Sequence, residues 1–167
     1  MSSSSSAREV VVDAGPVIAL ARLDLLAIPD SVFGKALITQ VVLQECLANE
    51  AHDENHAIRL ALETQLLEPV HWLQPAPASM WSLDPGEASA INLAARRKAF
   101  VLVDDLAARR VARDVGLKVV GTCGLLLEAR RLNLVAEVRP LVEKLSESGY
   151  YLSRSLIETV CRLAGES

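Results

Sequence analysis

The chain has 167 residues, 51% of them hydrophobic and 23% charged, with a formal net charge of −4. That size and composition suit one globular domain with a substantial core, and the negative balance excludes a protein that coats polyanions with its whole surface. Three scattered cysteines, Cys46, Cys123 and Cys161, exclude a disulfide framework or a cysteine-based zinc site and fit a reducing compartment.

Residues 1–8 begin with a serine tract and are expected to form a disordered tail, leaving 9–167 as a single domain. Residues 10–28 are apolar, but Asp13, Arg22 and Asp24 interrupt them and no basic flank precedes them. Neither a membrane span nor a signal peptide is expected, and the expected location is cytoplasmic. Residues 10–12 read as a buried strand ending at Asp13, and Pro16 suits the first position of a helix running to about Leu26. Residues 36–39 give a second strand, followed by helices over about 41–48 and 55–67. A proline-rich segment then holds one short strand, residues 70–73. Asp84-Pro85-Gly86-Glu87 opens a helix that continues to about Lys98. A strand over 100–103, a helix over 106–115 and a strand over 117–120 follow. The turn at 121–124 leads into a helix ending near Leu132, and two more helices are expected over 141–146 and 154–163. Short apolar strands alternating with helices predict a three-layer α/β/α sandwich around a parallel sheet.

Ligands in such a sheet bind outside the carboxyl ends of the strands. Asp13 ends the first strand, and Asp104 and Asp105 end the strand over 100–103. Glu45 lies in the first turns of the helix after the second strand, and Glu87 in the first turn of the mid-chain helix. Four segments therefore send carboxylates to one rim. Each has a local explanation: a turn at Gly15 for Asp13, a solvated face for Glu45, a capping box with Asp84 for Glu87, a helix cap for Asp104 or Asp105. Together, however, they would leave like charges side by side. One pair about 4 Å apart costs about 4 kcal/mol at an effective dielectric of about 20. No lysine or histidine lies near these motifs, whereas a divalent cation would offset the charge. Oxygen ligands favour Mg²⁺ or Mn²⁺, and carboxylate-held ions of that kind serve phosphodiester hydrolysis.

The order of motifs resembles the PIN-domain family, the fold of VapC-type toxin ribonucleases. It runs VVVDAGPVIAL, VVLQECL, LDPGEASAINLA and VLVDDLAARRVARDVGLKVVG, followed by GTCGLLLEARRLNL. The last of these and the double Asp are most similar to a PIN-like branch of largely uncharacterised function. The resemblance implies that Asp13, Glu45, Glu87 and Asp105 are catalytic and ligate one or two Mg²⁺ or Mn²⁺ ions, with Asp104 as a further metal candidate. It also implies cleavage of single-stranded RNA and the role of toxin in a toxin–antitoxin pair, with an antitoxin protein and a second copy of the chain in a homodimer as partners. Two positions depart from the common pattern: Glu87 stands where Asp is usual, and Val103 where Thr is usual. The alternative expectation is a non-catalytic PIN-like interaction module with a vestigial metal site. A haloacid-dehalogenase-like phosphatase fits less well, because Gly15 occupies the place of its second Asp and Lys98 lies at the wrong end of its strand.

Arg109 or Arg110, one turn past the acids, could meet a substrate phosphate bidentately. Thr122 could present its amide to a phosphate at a helix N-terminus, although an ordinary turn with Thr122 as N-cap explains the same residues.

Overall fold

The computed structural model describes residues 8–48 and 52–167. The expected tail lies outside the described residues apart from Arg8, which opens the first strand. The elements are β1 (Arg8–Val12), α1 (Ala14–Arg22), α2 (Ile28–Phe33), β2 (Gly34–Thr39), α3 (Gln40–Leu47), α4 (Glu54–Glu63), β3 (Glu68–Val70), α5 (Pro85–Arg97), β4 (Phe100–Leu102), α6 (Leu106–Asp114), β5 (Val119–Val120), α7 (Thr122–Arg131), α8 (Arg139–Glu147) and α9 (Arg154–Leu163). A 3-10 turn over Ala78–Met80 interrupts the loop before α5.

All five strands are parallel, in the order β3-β2-β1-β4-β5. The β1 run Val10, Val11 and Val12 is fully buried, as a central strand covered on both faces requires. Right-handed crossovers to either side of β1 put helices on opposite faces. α5 lies across β1, β2 and β4 and touches α6, while α2 lies across β1 and β2 and touches α7. This is the expected three-layer sandwich. None of the helices in the described residues is long and apolar enough to cross a membrane.

Several expected elements change, among them the helix over about 55–67, which ends at Glu63, and the strand over 117–120, which is Val119–Val120. α1 stops at Arg22 instead of about Leu26, because residues 23 and 24 turn and Asp24 takes a positive φ of 56°. α2 was not expected at all. Pro29 looks like a break but sits in its first turn, where no amide partner is lost, and Gly34 ends it at φ 99°, which favours glycine. β3 covers 68–70 rather than 70–73, pairing Pro69 opposite Ile38 on the sheet edge, where a missing amide is tolerated.

The strand order reverses between β1 and β4. The Asp13 amide continues the ladder into that junction, donating to the Leu102 carbonyl at 3.0 Å. The ends of β1 and β4 are thereby locked side by side, at the switch point where open α/β sheets bind ligands.

Candidate active site

Asp13 leaves β1 as the N-cap of α1, yet its side chain makes no capping hydrogen bond. Its residue surface is 6% exposed, and Oδ1 is buried with no hydrogen-bond partner. Burial raises its pKa from the ordinary 3.8 to about 7, partly opposed by the Ala14 amide and reinforced by Glu87, Asp84 and Glu45. An orphaned carboxylate oxygen facing three more acids is an expensive arrangement.

Glu45 sits in the second turn of α3, on top of the first turn of α5. A Cβ placed on Gly86 would stand 2.6 Å from Glu45 Oε1, so glycine leaves the room for that carboxylate. The Gly86 amide stabilises the charged form, but burial and then Asp84 push the Glu45 pKa up. The two helices are registered by a hydroxyl chain. Thr39, the buried N-cap of α3, accepts from Val42 N at 3.1 Å and meets Ser89 Oγ at 2.7 Å, and Ser89 donates to the Gly86 carbonyl at 2.8 Å.

Glu87 keeps its capping box: its amide donates to Asp84 Oδ1 at 2.8 Å, and its Oε2 accepts from the Asp84 amide at 3.3 Å. The cap does not remove it from the cluster. Burial and Asp84 raise its pKa first, with Asp105 and Glu45 adding to the effect. Asp105 is exposed and caps α6, accepting from the Ala108 amide at 2.9 Å through Oδ2. Asp13 thus feels Glu87, Asp84 and Glu45, and Asp105 reaches this group through Glu87. Asp84 joins them, a role that its fully explained capping box hides in the sequence.

Asp104 faces the other way. Its Oδ1 accepts from the Thr122 amide at 2.7 Å, and its Oδ2 from Thr122 Oγ1 at 2.6 Å and from the Tyr150 hydroxyl. Burial and the Asp104 charge raise the Tyr150 phenol pKa, so it stays a donor. Both Thr122 donors are spent on Asp104, which leaves none for a phosphate. The N-cap of α7 is Gly121, one residue before the expected Thr122. The Arg109 guanidinium lies over Gly121, whereas Arg110 is exposed on the outer face of α6.

The donor set at the sheet edge is all oxygen. Cys46 is electrostatically close to Asp13 and Glu45, but burial holds its thiol up at about 12, so it remains protonated at neutral pH. Among the described residues, no three His, Cys, Asp or Glu side chains already close around one point. The carboxylates stand openly spaced at the sheet edge, with Asp13 the most buried of them. An oxygen-ligated divalent ion fits the orphaned Oδ1 and the shared negative charge.

A search of the curated proteins gives no match. Among solved structures, the chain is similar to a PilT N-terminus domain protein, SSO1118, from the hyperthermophilic archaeon Sulfolobus solfataricus P2. The TM-score is 0.53 at 15% identity, covering 72% of this chain and 92% of that one. At that identity the likeness concerns the fold. The model of the DUF3368 family, described as a PIN domain, matches residues 9–166, nearly the whole chain. With the strand order and the acids at the sheet edge, that match leads to one conclusion: the chain belongs to the DUF3368 family of PIN domains.

Proposed function

We propose that this protein is a divalent-metal-dependent endoribonuclease that hydrolyses phosphodiester bonds of single-stranded RNA, acting as the toxin of a toxin–antitoxin pair. PIN domains are generally nucleases, and the observation that carries the reading here is Asp13 Oδ1. It is a buried carboxylate oxygen without a partner, at the strand-order reversal, facing Glu87, Asp84 and Glu45. Asp13, Glu45, Glu87 and Asp105 would hold Mg²⁺ or Mn²⁺. Such an ion, when bound, acidifies water and offsets charge on the leaving oxygen. The protein's own residues fix the site around it. Asp13 provides a rigid base because β1 and β4 lock its backbone, Gly86 seats Glu45, and the capping box fixes Glu87 beside Asp84. Arg109 would meet a substrate phosphate, and Arg110 stands too far out on α6 to share that role. A protein antitoxin and a homodimer belong to the same reading, with Leu156 and Leu163 on α9 exposed for such contacts.

The test is cleavage of single-stranded RNA by purified protein with Mn²⁺, with EDTA, and with Asp13→Asn. Cleavage that needs the ion and disappears in the variant supports the proposal. Equal cleavage in EDTA or in Asp13→Asn would sink it. The second reading, a partner-binding module, is favoured by the open spacing of the acids, and partner binding without any metal-dependent cleavage would select it.

A further inference from the structure

Beside Asp105 lies a cleft of about 750 Å³, between α6, the start of α7 and the segment 150–152. Its volume lies in the range of small-ligand sites. Two features set it apart from an ordinary surface groove.

The first is a pair of arginines that no ion pair engages. Arg109 is half-buried and reaches over Gly121, where an added Cβ would be 2.5 Å from its Nη1, so glycine makes room for the guanidinium. Its Nε is buried without a hydrogen-bond partner. Arg113, one turn further along α6, lines the same cleft. Among the described residues, neither arginine has an ion-pair partner. Asp104 and Asp105 line the cleft too, but the oxygens of Asp104 take donors from Thr122 and Tyr150, so its lone pairs are not spent on either arginine. The second feature is an exposed apolar wall. Tyr151 is 87% exposed, and Leu106 and Leu156 are exposed beside it. None of the three belongs to the core.

We propose that this cleft binds the nucleotide next to the scissile phosphate of a single-stranded nucleic acid, with its phosphate on Arg109 and Arg113 and its base on Tyr151. The proposal rests on the nuclease reading for its orientation, since the cleft opens beside Asp105. Unpaired guanidinium groups match phosphate in charge and in fork geometry. An aromatic face accepts any base by stacking. An apolar peptide would use the wall but leave both arginines unpaired, so single-stranded nucleic acid is the better match.

Arg113→Ala and Tyr151→Ala alter only exposed side chains, so folding is not at stake. Each is measured by anisotropy of a short fluorescent single-stranded RNA in EDTA, where nothing is cleaved. Each should weaken binding about tenfold, and Arg113→Ala should lower the salt slope by about one. At pH 8, where Asp13 is ionised, Asp13→Asn should bind at least as tightly as wild type, because it removes a negative charge. In Mn²⁺ the two cleft variants should raise KM with kcat little changed. Unchanged affinity in both variants, or wild-type protein that binds no RNA, overturns the proposal and hands the cleft to a protein partner. Weakened binding in the variants, with no metal-dependent cleavage by wild type, upholds the cleft and removes the nuclease reading.

Discussion

The rim of the sheet carries two acidic regions that look alike in sequence and differ in what surrounds them. At the end of β1, Asp13 is nearly fully buried, with one oxygen unsatisfied and carboxylates as its charged neighbours. At the end of β4, Asp104 is half-buried with three donors on its two oxygens. Depth in the protein does not separate a ligand from a structural acid; the count of donors does. A carboxylate whose lone pairs are filled by amide and hydroxyl groups holds the fold together. One that is stripped of water and left with an oxygen that no donor reaches is poised for a cation.

The largest expected effect lies on the Asp13 side. Asp13→Asn should reduce Mn²⁺-dependent RNA cleavage by about a thousandfold or more, while Asp104→Asn with its fold intact should leave the rate within about tenfold. Equal losses in gel-based rate assays would erase the distinction between the two regions.

Next comes the pH dependence of the metal-free protein. Folded Asp13 keeps its proton up to about pH 7, whereas the unfolded chain releases it near the ordinary 3.8. The folded state therefore binds more protons across that window. This contribution is complete below about 3.8 and is lost as pH rises through about 7, amounting to up to about 4 kcal/mol. Urea melts in EDTA should show wild type falling relative to Asp13→Asn between those pH values. A gap that does not vary with pH would contradict the burial argument.

On the other side, Asp104→Asn turns an amide donor toward Thr122 or Tyr150 and should cost about 2 kcal/mol of stability. Mn²⁺ affinity should change little, and a large loss of affinity would move Asp104 into the ion site. The smallest effect is expected at Gly86→Ala. The new methyl group meets only the movable end of Glu45, so stability should stay within about 1 kcal/mol. Displacing Glu45 should weaken Mn²⁺ binding about tenfold, as losses around a metal site typically do. Unaltered affinity there would remove Glu45 from the site.

Much of this contrast is legible in the sequence, and the reasons for the rest are physical. Strand ends mark Asp13 and the Asp104–Asp105 pair, because a buried parallel strand has little other use for a terminal acid. The helix starts mark Glu45 and Glu87. Asp84 stays hidden, since its capping box accounts for it completely until Thr39 and Ser89 dock α5 onto α3. The division of labour between Asp104 and Asp105 follows from alternation along the chain, but the partner of Asp104 does not. Tyr150 is 46 positions away in a connecting segment, with no periodicity to announce it. The helix α2 is hidden for a local reason: six residues are too few to show a helical period, and Pro29 reads as a stop.

A calorimetric titration of Mn²⁺ into metal-free protein at pH 8, where Asp13 is ionised, bears most directly on the central claim that the Asp13 side holds a cation. Wild type and Asp104→Asn should bind the ion saturably, and Asp13→Asn should show no saturable binding. No binding by wild type, or undiminished binding by Asp13→Asn, would contradict it.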